Sequence, residues 1–172
     1  MDRPTTDVAF TPAVKSQQER LGSRRAYSRL EARGGWPDRL SPELVEFIGR
    51  VDSFFLATAS ADGQPYMQHR GGAPGFLRVL DDQTLAFADF RGNRQYITLG
   101  NLAENDRTLL FLIDYSTGER YKIWGRARVV EGDAALEGQL AVPGYDARVE
   151  RVIVFDVQAW DANCPQHIAA KV

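Results

Sequence analysis

The chain has 172 residues, of which 44% are hydrophobic and 26% are charged, and its formal net charge is -2. This composition fits one globular domain that can bury a core without disulfides or a structural metal. The slightly negative charge excludes a global attraction for nucleic acid or an anionic membrane, so any anion site must be local.

The sequence predicts a soluble, cytoplasmic protein. Its first ten residues lack the apolar core of a signal peptide, and no segment approaches the roughly 18 apolar residues of a membrane span. The only cysteine, Cys164, excludes an internal disulfide, fits a reducing compartment and is interpreted as a structural thiol. His69 and His167 lie too far apart to indicate a zinc site.

Residues 1–40 are polar and arginine-rich, with too few apolar side chains for a core of their own. We interpret them as an arm or a short helical segment that lies across another surface, and place the main domain at 41–172. Ser41 and Pro42 predict a helix start, with serine as N-cap and proline at the first helical position. The helix presents one apolar face, at Leu44, Phe47, Ile48 and Val51.

The rest of the chain alternates short strand patterns with tight turns. The predicted strands are 53–60, 64–70, 75–80, 84–90, 107–115, 120–131 and 148–160. Short helices are predicted at 94–105 and 133–142. Strands joined mainly by tight turns favour an antiparallel barrel over a doubly wound parallel sheet.

Two strand ends carry arginine and glycine together. The first reads QHRGG, Gln68 to Gly72, and offers polar donors beside a backbone that a ligand can approach closely. The alternative is a glycine-rich hairpin loop with a histidine and an arginine on the surface.

The second strand end reads FRGNRQ and runs into a predicted helix. With Asn93 as N-cap, the amides of Arg94, Gln95 and Tyr96 would be unpaired at the positive end of the helix dipole. Together with the guanidinium groups of Arg91 and Arg94, they would form a phosphate site. The alternative is a solvated turn with surface arginines.

A third stretch, GERYKIWGRARVV, places cations at alternate positions of one strand. Arg126 and Arg128 are interpreted as a solvated face, whereas Arg120 and Lys122, nearest the turn, are candidates for ligand contact. No nucleophile elbow, Walker loop or strand-linked glycine fingerprint is present. Chemistry would therefore come most easily from a bound cofactor.

The order of these segments resembles that of the pyridoxamine 5'-phosphate oxidase-like, FMN-binding split-barrel proteins. The resemblance covers Leu44 to Asp156 and rests on FFLATASADGQPYMQHRGG, LAFADFRGNRQYITLGNL and RTLLFLIDYSTGERYKIWGRARVVE. A strand that turns at Asp62 and Gly63 before Pro65 is typical of the superfamily. The resemblance implies a mainly β fold with short helices, a six-stranded antiparallel split β-barrel that binds FMN.

In that family, the strand after this turn and the following strand-to-helix junction hold the phosphate of the flavin. The resemblance implies these cofactor-binding residues: Gln68, His69, Arg70, Gly71, Asp89, Phe90, Arg91, Asn93, Arg94, Gln95, Arg120 and Lys122. Arg94 matches the arginine of the oxidases, whereas Gln95 stands where they have lysine. The first strand reads QHRGG instead of their arginine-rich run, and their substrate-binding C-terminal arginine and histidine have no clear match. Flavin binding is therefore expected without oxidation of pyridoxamine phosphate.

The family is homodimeric, with each flavin site built from both chains at the interface. The resemblance therefore implies a homodimer in which residues 1–40 pack on the partner. It also suggests that Asn163, Gln166 and His167 reach a flavin edge.

The leading hypothesis is an FMN-dependent oxidoreductase of unknown substrate, with His69 and Lys122 as candidate proton donors. The alternatives are a module that binds or senses flavin, haem or a deazaflavin without turnover, and a structural dimer with a vestigial site.

Overall fold

The computed structural model describes residues 3–142, 145 and 147–163. Within them, a 3-10 turn at Thr5–Val8 precedes five helices: α1 (Pro12–Arg20), α2 (Arg24–Glu31), α3 (Pro42–Arg50), α4 (Ile97–Glu104) and α5 (Ala134–Leu140). The strands are β1 (Ser53–Ala59), β2 (Pro65–Gly71), β3 (Arg78–Val79), β4 (Thr84–Phe90), β5 (Arg107–Ile113), β6 (Arg120–Val130) and β7 (Val149–Ala162).

The strands form one antiparallel sheet in the order β2-β1-β5-β6-β7-β4-β3, which curls around a common core as a split barrel. The predicted mainly β, antiparallel fold is confirmed. The sheet has seven strands instead of six, because the two-residue β3 pairs with β4 at one edge. The strand predicted at 75–80 shrinks to β3, since Gly75 has a φ of 76° and the Phe76 amide closes a turn onto Ala73.

Helix α3 closes the barrel with the apolar face that the sequence predicts. The Leu44 amide donates to the Ser41 hydroxyl over 3.3 Å, which confirms Ser41 as the N-cap. Leu44, Phe47 and Ile48 are fully buried, and they pack against inward side chains of the strands such as Phe54 of β1. Burial of this kind is the main source of stability in a domain of this size.

The opposite face of β1, β2 and β5 is also apolar. Because side chains alternate across a strand, the inward residues of β1 and β5 leave their neighbours pointing away from the core. We call this surface the outer face, and it contains Phe55, Ala57, Met67, Leu109, Phe111 and Ile113. Met67 is 63% exposed, and the others on β1 and β5 are half-buried.

The N-terminal segment is largely helical and packs on the barrel of its own chain. Trp36 stacks on Trp124 of β6 with ring centroids 4.8 Å apart, and Phe10 packs edge-on against Trp36. The Trp160 amide of β7 donates to the Pro37 carbonyl over 2.9 Å. The expected packing of this segment on a partner chain stays a prediction.

Within the described ranges, no helix has both the length and the apolar character needed to cross a bilayer. Asn163 is the last described residue, and its amide donates to the Arg120 carbonyl over 3.1 Å. Cys164, Gln166 and His167 lie outside the described residues.

Candidate functional site

A small cleft lies where β2 and β4 end, beside the start of α4 and the first residues of β7. Its free volume is about 50 Å³. Seven of the residues proposed from sequence line it: Gln68, Arg70, Asp89, Phe90, Asn93, Arg94 and Gln95. The cleft has two walls of different character, one built by strands and one by a loop.

The strand wall is a buried ionic bridge of Arg70, Asp89 and Arg151. Asp89 and Arg151 are register partners in the β4–β7 ladder, so their side chains emerge side by side. One oxygen of Asp89 accepts from Arg70 of β2, and the other accepts from Arg151 over 3.0 Å. The three side chains are only 8–13% exposed, so each charge depends on its partners for solvation.

Arg151 is held by further carboxylates at the wall's outer edge. Its guanidinium lies 3.0 Å from Glu131 and 3.4 Å from Glu150. Burial acts to lower the pKa of Arg151, but hydrogen bonds to Asp89 and Glu131 outweigh it, so the pKa is raised above its usual value. Arg151 is therefore a permanent cation of the cleft.

Thr98, in the first turn of α4, connects the helix to the strand wall. Its hydroxyl donates to the side-chain oxygen of Gln68 over 3.0 Å and accepts from Arg70 over 3.4 Å. Thr98 is 3% exposed. The positions of Gln68 and Arg70 are thus fixed by the helix as well as by their own strand.

The loop wall is the segment 92–96, which is exposed along its whole length. The sequence prediction of Asn93 as the N-cap of the helix is wrong, and so is the placement of Arg94 inside the helix start. Tyr96 has a left-handed φ of 55°, so α4 begins only at Ile97. Asn93 instead accepts from the Gln95 amide over 3.2 Å, and Arg94 also has a left-handed φ, of 61°.

Arg94 and Tyr96 contact each other across this loop. The Nε–H of Arg94 donates to the Tyr96 hydroxyl over 3.1 Å, which raises the pKa of Arg94. The Tyr96 ring also lies under the guanidinium of Arg151, 5.5 Å from ring centroid to Cζ. Tyr96 therefore joins the loop wall to the strand wall.

The cleft has the donors that an anion requires. Its cations are Arg70, Arg94 and Arg151, against the carboxylates of Asp89 and Glu150. The first amides of α4 have no acceptor within the helix, and the positive end of the helix dipole lies at the same place. The arrangement can hold an oxyanion between the exposed arginine and the helix start.

The pleat of β2 separates two of the residues proposed from sequence. Gln68 and Arg70 face the cleft, whereas His69 lies on the other face of the strand, with its ring 5.5 Å from that of Phe55. Gly71 ends the strand, and a Cβ there would lie 3.2 Å from the His69 ring.

Three other proposed residues lie away from the cleft. Arg91 is exposed, and its amide donates to the Arg148 carbonyl over 3.0 Å. Arg120 and Lys122 start β6, opposite Ile113 and Phe111 of β5, and so belong to the outer face. Lys122 lies 3.5 Å from Asp161. A single chain does not bring Arg120 and Lys122 to the cleft.

Arg126 and Arg128 behave as the sequence predicts for a solvated face. They are about half-exposed and form ion pairs with Asp106 and Asp156. The buried Ile123 and Ala127 point inward from the same strand. Among the residues that the structure describes, no group of three or more His, Cys, Asp or Glu side chains could hold a metal ion.

Sequence reasoning missed Arg151, Thr98 and the side chain of Tyr96, of which only the amide was proposed. Arg151 lies 62 residues from Asp89, and only the pairing of β4 with β7 brings them together. One sequence signal pointed to Arg151: it lies at the start of a long apolar strand, in RVERVIVF. A cation that is buried at such a position needs an acidic partner. No sequence signal marked the left-handed conformation of Tyr96.

The family model described as pyridoxamine 5'-phosphate oxidase matches residues 40–164 of this chain. The match includes both walls of the cleft and every strand of the sheet. A search of curated proteins finds no match to this sequence.

Solved structures with the same fold come from several bacteria. HupZ from group A Streptococcus is 20% identical, with a TM-score of 0.53 over 77% of this chain and 98% of its own. An FMN-binding protein from Syntrophomonas wolfei is 12% identical, with a TM-score of 0.53 over 88% and 95%. A Clostridium acetobutylicum protein related to general stress protein 26, of the pyridoxinephosphate oxidase family, is 15% identical, with a TM-score of 0.53 over 74% and 86%. Similarity at this level concerns the fold.

Proposed function

Because the chain belongs to the pyridoxamine 5'-phosphate oxidase family, we propose that it is a homodimeric flavoprotein that binds FMN in this cleft and acts as an FMN-dependent oxidoreductase. The FMN-binding protein of Syntrophomonas wolfei, which shares the fold, supports the choice of cofactor.

The observation that carries the proposal is the donor set of the cleft. Arg94 is exposed, and the first residues of α4, whose amides have no acceptor within the helix, line the same cleft. The Nε–H of Arg70 is buried and has no hydrogen-bond partner among the described residues, so the strand wall keeps one unused donor. These groups fit the phosphate of FMN, which needs several donors at once.

Bound FMN would supply hydride or electron transfer, which no side chain of the cleft provides. The residues of this chain bind and orient the cofactor. Arg94 and the start of α4 would hold the phosphate, and Gln68 and Gln95 would offer amide groups to the sugar chain. The two candidate proton donors, His69 and Lys122, both lie on the outer face, so either would reach the ring only in a site that a second copy completes.

The outer face supports the proposal of a homodimer. A sheet with apolar side chains on both faces needs a cover on each, since an exposed apolar patch favours association. Lys122 is the cross-strand neighbour of Phe111, and Arg120 that of Ile113, so both cations lie on this face. A second copy on the outer face would cover Phe111 and place these cations at an interface, as a site built from both chains requires.

The cofactor is tested by the absorbance spectrum of the purified protein and identification of the released chromophore. Flavin bands, or their gain on incubation with FMN, support the proposal, and a protein that stays colourless overturns it. Anaerobic addition of a nicotinamide donor then tests turnover, because reduction of the bound flavin is expected from an oxidoreductase.

The dimer is tested by placing a charge on the outer face. Met67→Glu is expected to give monomers in sedimentation equilibrium, because the carboxylate would be buried without a partner. Leu80→Glu is the matched control, since Leu80 is also an exposed apolar residue but follows β3, away from the outer face. A wild-type monomer, or a Met67→Glu dimer, would contradict the interface.

A second candidate function is a flavin-binding module without turnover. The observation that favours it is that Arg70, Asp89, Glu150 and Arg151 are all engaged in ion pairs with one another. These paired groups offer no free acid or base to a substrate. A bound flavin that no physiological donor reduces would support this function.

A further inference from the structure

Tyr96 occupies a position in the cleft that the proposed FMN binding leaves unexplained. We propose that Tyr96 is a positioning residue that controls access of phosphate to Arg94, because its hydroxyl accepts the Nε–H hydrogen bond that a phosphate oxygen would accept. The inference rests on the proposed function only for the identity of the ligand.

The first observation is the state of Arg94 itself. Its only hydrogen bond among the described residues is the one from Nε–H to the Tyr96 hydroxyl, over 3.1 Å. A phosphate that uses the Nε–H side of the guanidinium needs that donor. A phosphate bound on that side and the tyrosine therefore compete for the same atom.

The second observation is the contact of Tyr96 with the other wall. Its ring lies 5.5 Å from the Arg151 guanidinium, so the side chain reaches across the cleft between two cations. The free volume that remains is about 50 Å³, room for a few water molecules. The Tyr96 side chain therefore lies between two of the cations to which a phosphate would bind.

The third observation is the backbone that carries these side chains. Arg94 and Tyr96 both have left-handed φ values, of 61° and 55°, which cost free energy in any residue other than glycine. All of segment 92–96 is exposed. The conformation of this loop is thus supported by its side-chain contacts, among them the hydrogen bond from Arg94 to Tyr96.

Loss of the Tyr96 hydroxyl is therefore expected to change the affinity for ligands that carry a phosphate and not for ligands that lack one. Loss of the Tyr96 hydroxyl frees Arg94 in advance, so a phosphate no longer has to break that hydrogen bond. One hydrogen bond of this kind corresponds to about a three- to tenfold change in affinity. Riboflavin lacks the phosphate and does not use Arg94, so its affinity should stay unchanged.

The test is a set of binding titrations with FMN, riboflavin and inorganic phosphate on Tyr96→Phe, which keeps the ring contact to Arg151 but removes the hydroxyl. We expect about three- to tenfold tighter binding of FMN and phosphate and no change for riboflavin. Flavin binding is followed by fluorescence quenching, and phosphate binding by the Arg Nε–H resonances in nitrogen-15 spectra. Tyr27→Phe is the matched control, because Tyr27 lies in α2 and packs on Phe10.

A double-mutant cycle separates this role from a merely structural one. On an Arg94→Gln background, Tyr96→Phe should leave all three affinities unchanged, because the effect acts through Arg94. Weaker or equal binding of FMN and phosphate by Tyr96→Phe would overturn the inference, as would the same tightening without Arg94. If neither flavin binds to any variant while the phosphate response follows the expectation, the proposed function fails and the role of Tyr96 stands.

Discussion

The two walls of the cleft contain the same kinds of residue in opposite physical states. Arg70, Asp89 and Arg151 of the strand wall are buried and bound to one another, whereas Arg94 of the loop wall is exposed and bound only to Tyr96. Charges that are already paired in a buried site contribute to stability and geometry, while an exposed donor can change partners at small cost. The comparison teaches that the number of arginines in a cleft does not tell which of them binds a ligand.

The largest effect is expected from Asp89→Asn, which breaks the strand wall. Without the carboxylate, two buried guanidinium groups face each other, and the free energy of unfolding should fall by about 3–5 kcal/mol. The measurement is denaturant unfolding of the ligand-free protein.

Asp156→Asn is the matched control for that change, because Asp156 pairs with Arg128 on an exposed face with both side chains about half-accessible. Its loss should cost about 0–1 kcal/mol. Similar losses for the two variants would mean that the buried bridge is not different in kind from a surface ion pair.

The next largest effect is expected from a change in the loop wall, and it concerns the affinity for FMN. Arg94→Ala should weaken FMN binding by about 1.5–3 kcal/mol, the loss of one charge-assisted contact. Its unfolding free energy without ligand should stay within about 0.5 kcal/mol of wild type, as for other exposed residues. Titration with FMN and denaturant unfolding measure the two quantities.

Arg91→Ala is the control for Arg94→Ala, since Arg91 is also an exposed arginine but does not line the cleft. It should leave FMN affinity unchanged. Equal losses for the two arginines would indicate a diffuse electrostatic attraction instead of a contact by Arg94.

A smaller effect is expected from Thr98→Val, which removes the link between α4 and the strand wall. The side-chain oxygen of Gln68 loses its donor, and Arg70 loses an acceptor, so unfolding should become easier by about 1–2 kcal/mol. Thr98→Ser keeps the hydroxyl and should recover most of this loss. A serine variant as unstable as the valine variant would show that packing of the methyl group, not the hydrogen bonds, matters there.

The smallest effect is expected from Asp114→Asn, outside both walls, and concerns the loss of unfolding free energy at acid pH. Hydrogen bonds from the hydroxyl and amide of Ser116 lower the pKa of Asp114, in the turn between β5 and β6. Because the folded pKa is lowered, this contribution is complete above the unfolded value of about 3.9 and is lost as pH falls through the folded value.

The measurement is unfolding free energy against pH for wild type and Asp114→Asn. Between pH 5 and pH 2, wild type should lose about 0.5–1 kcal/mol more than the variant. Parallel curves for the two proteins would show that the turn contributes nothing to acid stability.

The sequence predicted most of the fold because its signals are local. The alternation of apolar residues located the strands, and Ser41 with Pro42 located the start of α3. The pairing of β6 with β7 shifts its register between Trp124 and Gly125, and the sequence did not predict this irregularity. A Cβ on Gly125 would collide with the Asp156 carbonyl oxygen, a close approach that no local pattern reveals.

The candidate site was predicted in part. Gln68, Arg70 and Arg94 do line one cleft, but the helix start was misplaced because the backbone of Tyr96 turns left-handed before α4 begins. Asp89 was proposed as a cofactor contact, whereas both its oxygens bind arginines.

By itself, the sequence determined the order of the strands along the chain and the residue types that an anion needs, because these depend on composition and local periodicity. The family was indicated by the resemblance of its segments to known proteins. Only the tertiary structure decided which arginines remain available. That choice depends on pairing between strands distant in sequence, which joins Asp89 to Arg151, and on the pleat, which turns His69 away while Arg70 faces the cleft. Long-range pairing and side-chain direction are properties of the folded chain, so the sequence alone could not predict the difference between the two walls.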